Sequence, residues 1–390
     1  MFHTSYIEIN KSALKANLEF LKSLTGPDVR YCSVVKGNAY GHGIEHFVPL
    51  IEEYGVDFFG VHSADEALRV HMVKQNSSHV MIMGMIEDNE LEWAVENDIS
   101  FYLFEYERIE AAVEAAKRQK KKAKVHIELE TGMNRIGFHW EGREQLVRKL
   151  LGYSDHLHIT GVSTHYAGAE SIANYLRVQN QIANYNRFQW YLRKKGVKSE
   201  IRHTACSAPL ISYPQTKMDM VRIGIAQYGY WPSKETYMQY LTQNGKIQMT
   251  DSPLRQIISW KTRIMSIKKV NAGEFIGYGT AYQATNDTVI ATVPVGYSHG
   301  FNRSLSNLGK VLVQGRRVPV IGIVNMNMMI INVSHCPQVE RGDEVVLIGS
   351  QKKNRITVSS FSDLINNVNY ETLVRLPRDI PRFIVEQTTN

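Results

Sequence analysis

The stretch CSVVKGNAYGHG, Cys32 to Gly43, sets Lys36 where an apolar run fit for burial meets a loop punctuated by Gly37, Gly41 and Gly43. A lysine held at such a point can form a Schiff base with an aldehyde, and the permissive backbone after it lets other groups approach closely. Tyr40 follows within one turn. Further along, Arg135, His165, Ser207, Arg222, Gly224 and Ile225 end or follow other apolar runs, so that amine, guanidinium, imidazole, hydroxyl and backbone N–H donors recur at equivalent places. Each alone has an ordinary explanation, such as a snorkelling lysine or a histidine bonded to a backbone carbonyl. Their convergence depends on the elements that carry them.

Eight short runs rich in β-branched and aromatic residues span 31–36, 57–63, 80–84, 100–104, 124–130, 158–165, 200–207 and 220–229. Most are separated by segments with helical apolar spacing, among them GIEHFVPLIEEYG, ERIEAAVEAAKRQ and NYLRVQNQIANYNRFQWYLRKKG. Eight β–α units predict a (β/α)8 barrel, with its site at the C-terminal ends of the strands. Lys36, Tyr40, Arg135, His165, Ser207, Arg222, Gly224 and Ile225 then share one rim. The loops after the seventh and eighth strands, where barrels often bind phosphate, offer Ser207 and the amides of Gly224 and Ile225.

After Ser233, SKETYMQYLTQNGKIQMTDSPLRQ reads as a polar linker or loop, and from Ile257 strands follow in quick succession, FIGYGTAY among them. The expected organisation is a barrel over 11–245 and an all-β domain over 246–390, with 1–10 pairing as a strand with the latter. The 390 residues are 43% hydrophobic and 21% charged, and no tract of 18 or more apolar residues predicts a membrane span. The opening 22 residues lack a basic start followed by an apolar core, so a cytoplasmic location is expected. Three widely spaced cysteines form no CxxC pair, and neither a disulfide framework nor a metal site is expected. The net charge of +7 is concentrated in KRQKKKAK, 117–124, directly after a helical pattern. Cations there complement a helix C-terminus, and no nucleic-acid partner is expected.

VVKGNAYGHG resembles the cofactor-attachment motif of the alanine racemase family, the fold-type III pyridoxal-phosphate enzymes, usually VVKANAYGHG. Gly37 replaces the alanine. The similarity continues through TGMNRIGF (131–138), THYAGAES (164–171), VRIGIAQYG (221–229), IGYGTAY (276–282), VPVGYSHG (293–300) and GIVNMNMMIINV (322–333). The resemblance implies pyridoxal 5'-phosphate on Lys36, phosphate contacts from Tyr40, Ser207, Gly224 and Ile225, and Arg222 facing the pyridine nitrogen with His165 nearby. It implies Tyr278 as the base opposite Lys36, with Arg135 and Met326 near the substrate carboxylate. It also implies a head-to-tail homodimer in which each chain's tyrosine completes the other's site. The activity implied is racemisation of L- and D-alanine. A racemase of broader specificity, a decarboxylase of the same plan, and a non-catalytic cofactor-binding protein stand as alternatives.

Three departures from the family pattern, at four positions, stand out. Glu128 stands where many members have a lysine that becomes carbamylated, and it supplies an anion for Arg135 without carbon dioxide; alternatively it pairs with a cation such as His126 or a surface lysine. Asn327 and His299 replace two aspartates. Arg378 aligns with a tyrosine that contacts phosphate and shapes the entrance, and whether the 237–249 insertion gates that entrance is a question the sequence leaves open.

Overall fold

Each of the eight apolar runs becomes a parallel strand. In the computed structural model, which describes residues 3–75, 77–243, 245 and 252–386, one strand, β1 (Ser5–Asn10), precedes them. They are β2 (Arg30–Val34), β3 (Phe58–Ser63), β4 (His79–Met85), β5 (Ser100–Leu103), β6 (Ala123–Glu128), β7 (Leu157–Ser163), β8 (Ile201–His203) and β9 (Met220–Ile223). The sheet runs β8-β7-β6-β5-β4-β3-β2-β9. β5 and β9 are buried along their whole length, as expected of strands covered on both faces. The barrel closes where Asp219 N donates to Arg202 O (3.1 Å) and Arg222 N to Ala205 O (2.9 Å). A fork of Arg202 Nε and Nη2 on the Asp219 carboxylate, at 2.8 and 2.9 Å, reinforces that seam.

Two segments expected between 220 and 256 take a different form. The run 220–229 is a strand only to Ile223, because Gly224 (φ −104°, ψ −106°) turns the chain into a 3-10 helix, Ile225–Tyr228. The polar stretch after Ser233 begins with a helix, Lys234–Gln243, whose Tyr240 and Leu241 pack with Ile211, Phe20, Leu24, Trp231 and Tyr237. Of the 237–249 insertion, 237–243 belong to this helix, while 244 and 246–249 lie outside the described residues. The basic run at 117–124 sits at a helix end with its charges met locally: Lys117 with Glu114 (2.8 Å), Arg118 with Glu92 (2.6 Å), and Lys124 with Asp98 (2.9 Å). No described helix is long and apolar enough to cross a membrane.

The remaining strands build a separate, mostly antiparallel sheet. They are β10 (Ile258–Arg263), β11 (Ser266–Val270), β12 (Thr288–Val293), β13 (Lys310–Val313), β14 (Arg316–Ile321), β15 (Met329–Asn332), β16 (Glu344–Gln351), β17 (Asn354–Ile356) and β18 (Arg382–Val385). Its order is β11-β12-β15-β14-β13-β16-β10-β1-β18, with β17 on β16. β1 therefore joins this sheet, antiparallel to β10 and parallel to β18. By compactness the chain divides into one unit of Met1–Ala13, Gly37–His46 and Gln256–Asn390, and another of Leu14–Lys36 and Phe47–Arg255. The expected strand over FIGYGTAY is instead a loop, pinned by one bridge between Phe275 and Gln283, because Gly277 (φ 83°) and Gly279 (φ 62°) take left-handed backbone.

Inside the barrel a polar layer replaces apolar filling. Fully buried His126 and His203 meet across Gly161 of the intervening strand, with Nδ1 of the first 2.8 Å from Nε2 of the second. A Cβ on Gly161 would lie 2.2 Å from His126 Nδ1, so only glycine leaves room for the pair. Arg222 Nη1 lies 2.7 Å from His203 Nδ1, and a guanidinium can only donate. His203 Nδ1 therefore accepts, its Nε2–H donates to His126 Nδ1, and both rings are neutral. Burial, followed by the charge of Arg222, pushes His126 down to about 3 and His203 well below its ordinary value.

A pH dependence follows from these depressed values. In the unfolded chain histidine titrates near 6.5, so on acidification the unfolded state takes up the proton first. Stability from this layer is intact above about pH 6.5 and declines as pH falls toward about 3, the folded value for His126. His126→Asn should lessen the slope of unfolding free energy against pH by up to about 1.4 kcal/mol per pH unit between roughly pH 4 and 6. Urea titrations across that range measure it, and an unchanged slope would show that His126 is not held neutral.

Candidate functional site

Lys36 is two residues beyond β2, and the intervening Val35 is tied to β3 by a 2.8 Å bond from its N–H to Gly60 O. The side chain reaches solvent, yet protein crowds it enough that desolvation, then the charge of Arg135, lowers its ammonium below the ordinary lysine range. Lowered basicity makes the neutral amine, the nucleophilic form, more available.

Arg222, on β9 and 4% exposed, is the most constrained group nearby. Its Nη1 donates to His203 O (2.7 Å) and Tyr102 Oη (3.2 Å) besides His203 Nδ1; its Nη2 donates to Thr164 O (2.7 Å) and Thr204 O (3.2 Å). Its Nε–H has no protein partner among the described residues. Thr164 leads to His165, which burial and then Arg222 hold near 3, so the imidazole is neutral. Ser207 opens the helix Ser207–Ser212, and its Oγ accepts from Gly224 N at 3.1 Å, which joins the seventh and eighth rim loops next to Ile225.

Glu128 ends β6 and is 3% exposed. Its Oε2 accepts from Ser163 Oγ (2.5 Å), at the end of β7. This hydroxyl is its hydrogen-bond partner in place of His126 or a surface lysine. Burial raises its carboxyl, against the opposing influence of Arg222, the Ser163 bond and Arg135. Arg135 itself lies exposed on the 131–137 loop.

Sequence reasoning missed how that loop is held. Glu130 accepts from the N–H groups of Gly132 (2.5 Å), Met133 (2.8 Å), Asn134 (2.7 Å) and Arg135 (3.3 Å), a nest of four amides on one carboxylate. Buried Gln181 ties the same loop to the next one, donating to Thr131 Oγ1 (3.4 Å) and His165 O (3.0 Å) while accepting from Ala167 N (2.9 Å). A carboxylate just before a Thr-Gly turn was the available signal for Glu130. Gln181 carried none beyond its place on a long helix.

The barrel unit thus brings together Lys36, Glu128, Arg135, His165, Ser207, Arg222, Gly224 and Ile225. Tyr40, Tyr278, Met326 and Arg378 belong to the other unit. There Tyr278 is 71% exposed at a loop tip, not half-buried in a strand, and Met326 is 56% exposed. Asn327 Nδ2 donates to Ser298 Oγ (3.0 Å), Ser298 Oγ bonds to Met326 O (2.8 Å), and His299 Nδ1 accepts from Gly296 N (3.2 Å). Arg378 is exposed. Tyr40 is buried against Tyr370, ring centroids 5.9 Å apart.

Tyr40 lies in an uncommon turn. Gly37, Asn38, Ala39 and Tyr40 all take left-handed backbone, with φ of 63°, 56°, 53° and 51°. Gly41 N bonds back to Gly37 O and Gly43 N to Asn38 O, both at 2.9 Å, closing one left-handed helical turn directly after Lys36.

Residues 9–232 match the family model for the alanine racemase N-terminal domain and 257–384 that for its C-terminal domain. The alanine racemase of Leptospira interrogans serovar copenhageni is 34% identical over 385 residues, 98% of this chain and 96% of that protein. The solved alanine racemase of Clostridium difficile 630 has a TM-score of 0.89 at 29% identity, covering 99% of this chain and 97% of the other. That of Bacillus anthracis, solved with bound L-Ala-P, has a TM-score of 0.87 at 29% identity, covering 99% and 96%. Sequence and fold agree over nearly the whole length, and the chain belongs to the alanine racemase family.

Proposed function

We propose that this protein interconverts L- and D-alanine by a two-base reaction that uses pyridoxal 5'-phosphate held on Lys36. The observation that carries the reading is Lys36 itself: a lysine of lowered basicity at a barrel strand's end, in the same unit as, and within the electrostatic reach of, a guanidinium held by five hydrogen bonds. The donor set fits the cofactor. The unpartnered Nε–H of Arg222 suits a pyridine nitrogen; with Gly224 N–H engaged by Ser207 Oγ, the Ser207 hydroxyl and the Ile225 amide suit a phosphate, to which Gly224, Tyr40 and Arg378 would add contacts in this reading. When bound, pyridoxal phosphate would stabilise negative charge at the amino acid's Cα.

Lys36 Nζ serves as acid and base on one face of Cα, and Tyr278 Oη, brought by a second copy of the chain in a head-to-tail dimer, serves on the other. Arg222 cannot give up its proton, so its free Nε–H would donate to the cofactor's ring nitrogen and keep that nitrogen unprotonated. Charge withdrawal by the ring would then be modest, which would favour return of a proton to Cα over other fates. Neutral His165 adds no charge to compete with Arg222, while Arg135 and Met326 receive the substrate carboxylate. In this reading 11–245 carry the cofactor, and 246–390 with 1–10 supply Tyr278 and Met326 to the partner.

Incubating the protein with single L-amino acids in deuterated water tests the activity and its range: alanine should gain Cα deuterium and D-enantiomer fastest. Borohydride reduction and peptide mapping should place the pyridoxyl label on Lys36. Tyr278→Phe should slow racemisation by roughly 10²–10⁴-fold and leave the Lys36 label intact. Undiminished interconversion in that variant would remove Tyr278 from the reaction.

Glu128 carries a second test. Buried and bonded to Ser163, it supplies its negative charge without carbon dioxide, so stripping bicarbonate should leave the wild type unchanged. Glu128→Gln should lower kcat/KM, since a charge-assisted contact is worth about 1.5–3 kcal/mol. Glu128→Lys should regain activity only as bicarbonate is restored. Coupling between Glu128→Gln and Arg135→Ala in a double-mutant cycle measures their interaction, and additive losses would show that the two act independently.

A further inference from the structure

We propose that Arg382 is a positioning residue for Lys36, a staple that holds the left-handed turn after the lysine in the one conformation that aims it. The inference rests on the role given to Lys36 above. Arg382 is 5% exposed and sits on β18, which is fixed in the sheet by pairing with β1. Its Nε and Nη2 both donate to Gly41 O, at 3.3 and 2.8 Å. Nη2 also donates to Pro377 O (2.9 Å), and Nη1 donates to Arg378 O (3.0 Å) and Ile380 O. One planar guanidinium therefore joins the last carbonyl of the turn to three carbonyls of the segment leading into β18.

The turn is shaped to receive it. A Cβ at Gly43 would lie 2.8 Å from Arg382 Cδ, and one at Gly41 would lie 2.0 Å from Leu373 O, so the two glycines of GHG admit the arginine and the Leu373 backbone. Between them His42, fully buried, reaches Ala39 O and Tyr40 O with Nδ1 at 3.0 and 2.9 Å and closes the turn from inside. With its carbonyls engaged by His42 and Arg382, the turn cannot relax to the right-handed form without breaking bonds at both places. Lys36 is covalently the residue before it, so the direction in which the backbone leaves the lysine is set here. A lysine at 382 would offer a point charge instead of a fork and could not span these carbonyls.

Two variants and two readouts test the proposal. In Arg382→Ala, amide hydrogen exchange over 41–43 should rise about tenfold or more while barrel peptides such as 220–229 keep their protection. Incorporation of pyridoxal phosphate at Lys36, fixed by borohydride, should slow about tenfold, and methylguanidinium at non-denaturing concentration should restore both. Arg382→Lys should fall between the alanine variant and the wild type, and it carries the test if the alanine variant does not fold. Unchanged exchange, faster exchange with undiminished labelling, or slowed labelling that methylguanidinium does not restore would each overturn the staple. If wild-type Lys36 takes no label, the proposed function fails on its own account, while exchange over 41–43 still decides whether Arg382 holds the turn.

Discussion

A guanidinium that cannot lose its proton lies buried in the barrel at Arg222, and the surrounding backbone is arranged around that charge. An ion left unpaired in such a place costs several kcal/mol, whereas hydrogen bonds to a charged group return about 1.5–3 kcal/mol each. Three of its acceptors are main-chain carbonyls, those of Thr164, His203 and Thr204. Carbonyls turned toward Arg222 are withdrawn from the strand ladder, which explains why β8 stops after three residues and why β7 stops at Ser163. The His203 ring takes another donor and passes the constraint to His126, and Gly161 follows from the space the two rings need. A single charge thus accounts for two strand ends, two neutral histidines and a glycine.

The turn after Lys36 poses the converse problem, since there the backbone is strained and side chains must hold it. Left-handed conformation costs about 1–2 kcal/mol for each residue with a side chain, and Asn38, Ala39 and Tyr40 all adopt it. The compensation comes from the intraturn bonds, from Asn38 Oδ1 accepting from Ile44 N at 3.3 Å, and from the buried contacts of His42 and Arg382. In both places arginine succeeds for the same reason: a planar fork of donors can satisfy several carbonyls whose positions are set by other parts of the fold.

These devices explain what was legible beforehand. Strand and helix periodicity is written in consecutive residues, so the eight parallel strands and the β sheet could be read directly. The helix Lys234–Gln243 was obscured because the stretch reads as polar overall, and the apolar surface it covers comes from distant Phe20 and Leu24. Lys36, Arg222 and Tyr278 stood out through their motifs. Glu130 and Gln181 did not, because their work is to bond backbone amides and carbonyls of loops, a task marked for Glu130 only by the Thr-Gly turn after it and for Gln181 by nothing in its spacing. Within their runs nothing marks His126 and His203 as a pair; the register of β6, β7 and β8 sets them side by side.

The departures near Tyr297 also take on a different meaning once their partners are known. Two aspartates of the family pattern are His299 and Asn327 here, which on charge alone removes two anions. The intervening residue Ser298 turns that loss into an exchange: its hydroxyl accepts from Asn327 Nδ2 and bonds to Met326 O, while its N–H donates to Met326 O at 3.0 Å. His299 meanwhile caps its own short turn through Gly296 N, and Tyr297 N donates to Asn325 O at 3.0 Å. Neutral hydrogen bonds each contribute about 0.5–1.5 kcal/mol, and unlike an ion pair they are little weakened by salt. The loops that carry Tyr297 and Met326 are therefore joined by neutral groups, whereas in the barrel unit Glu128 and Glu130 are each held by donors of their own, the Ser163 hydroxyl and four backbone amides.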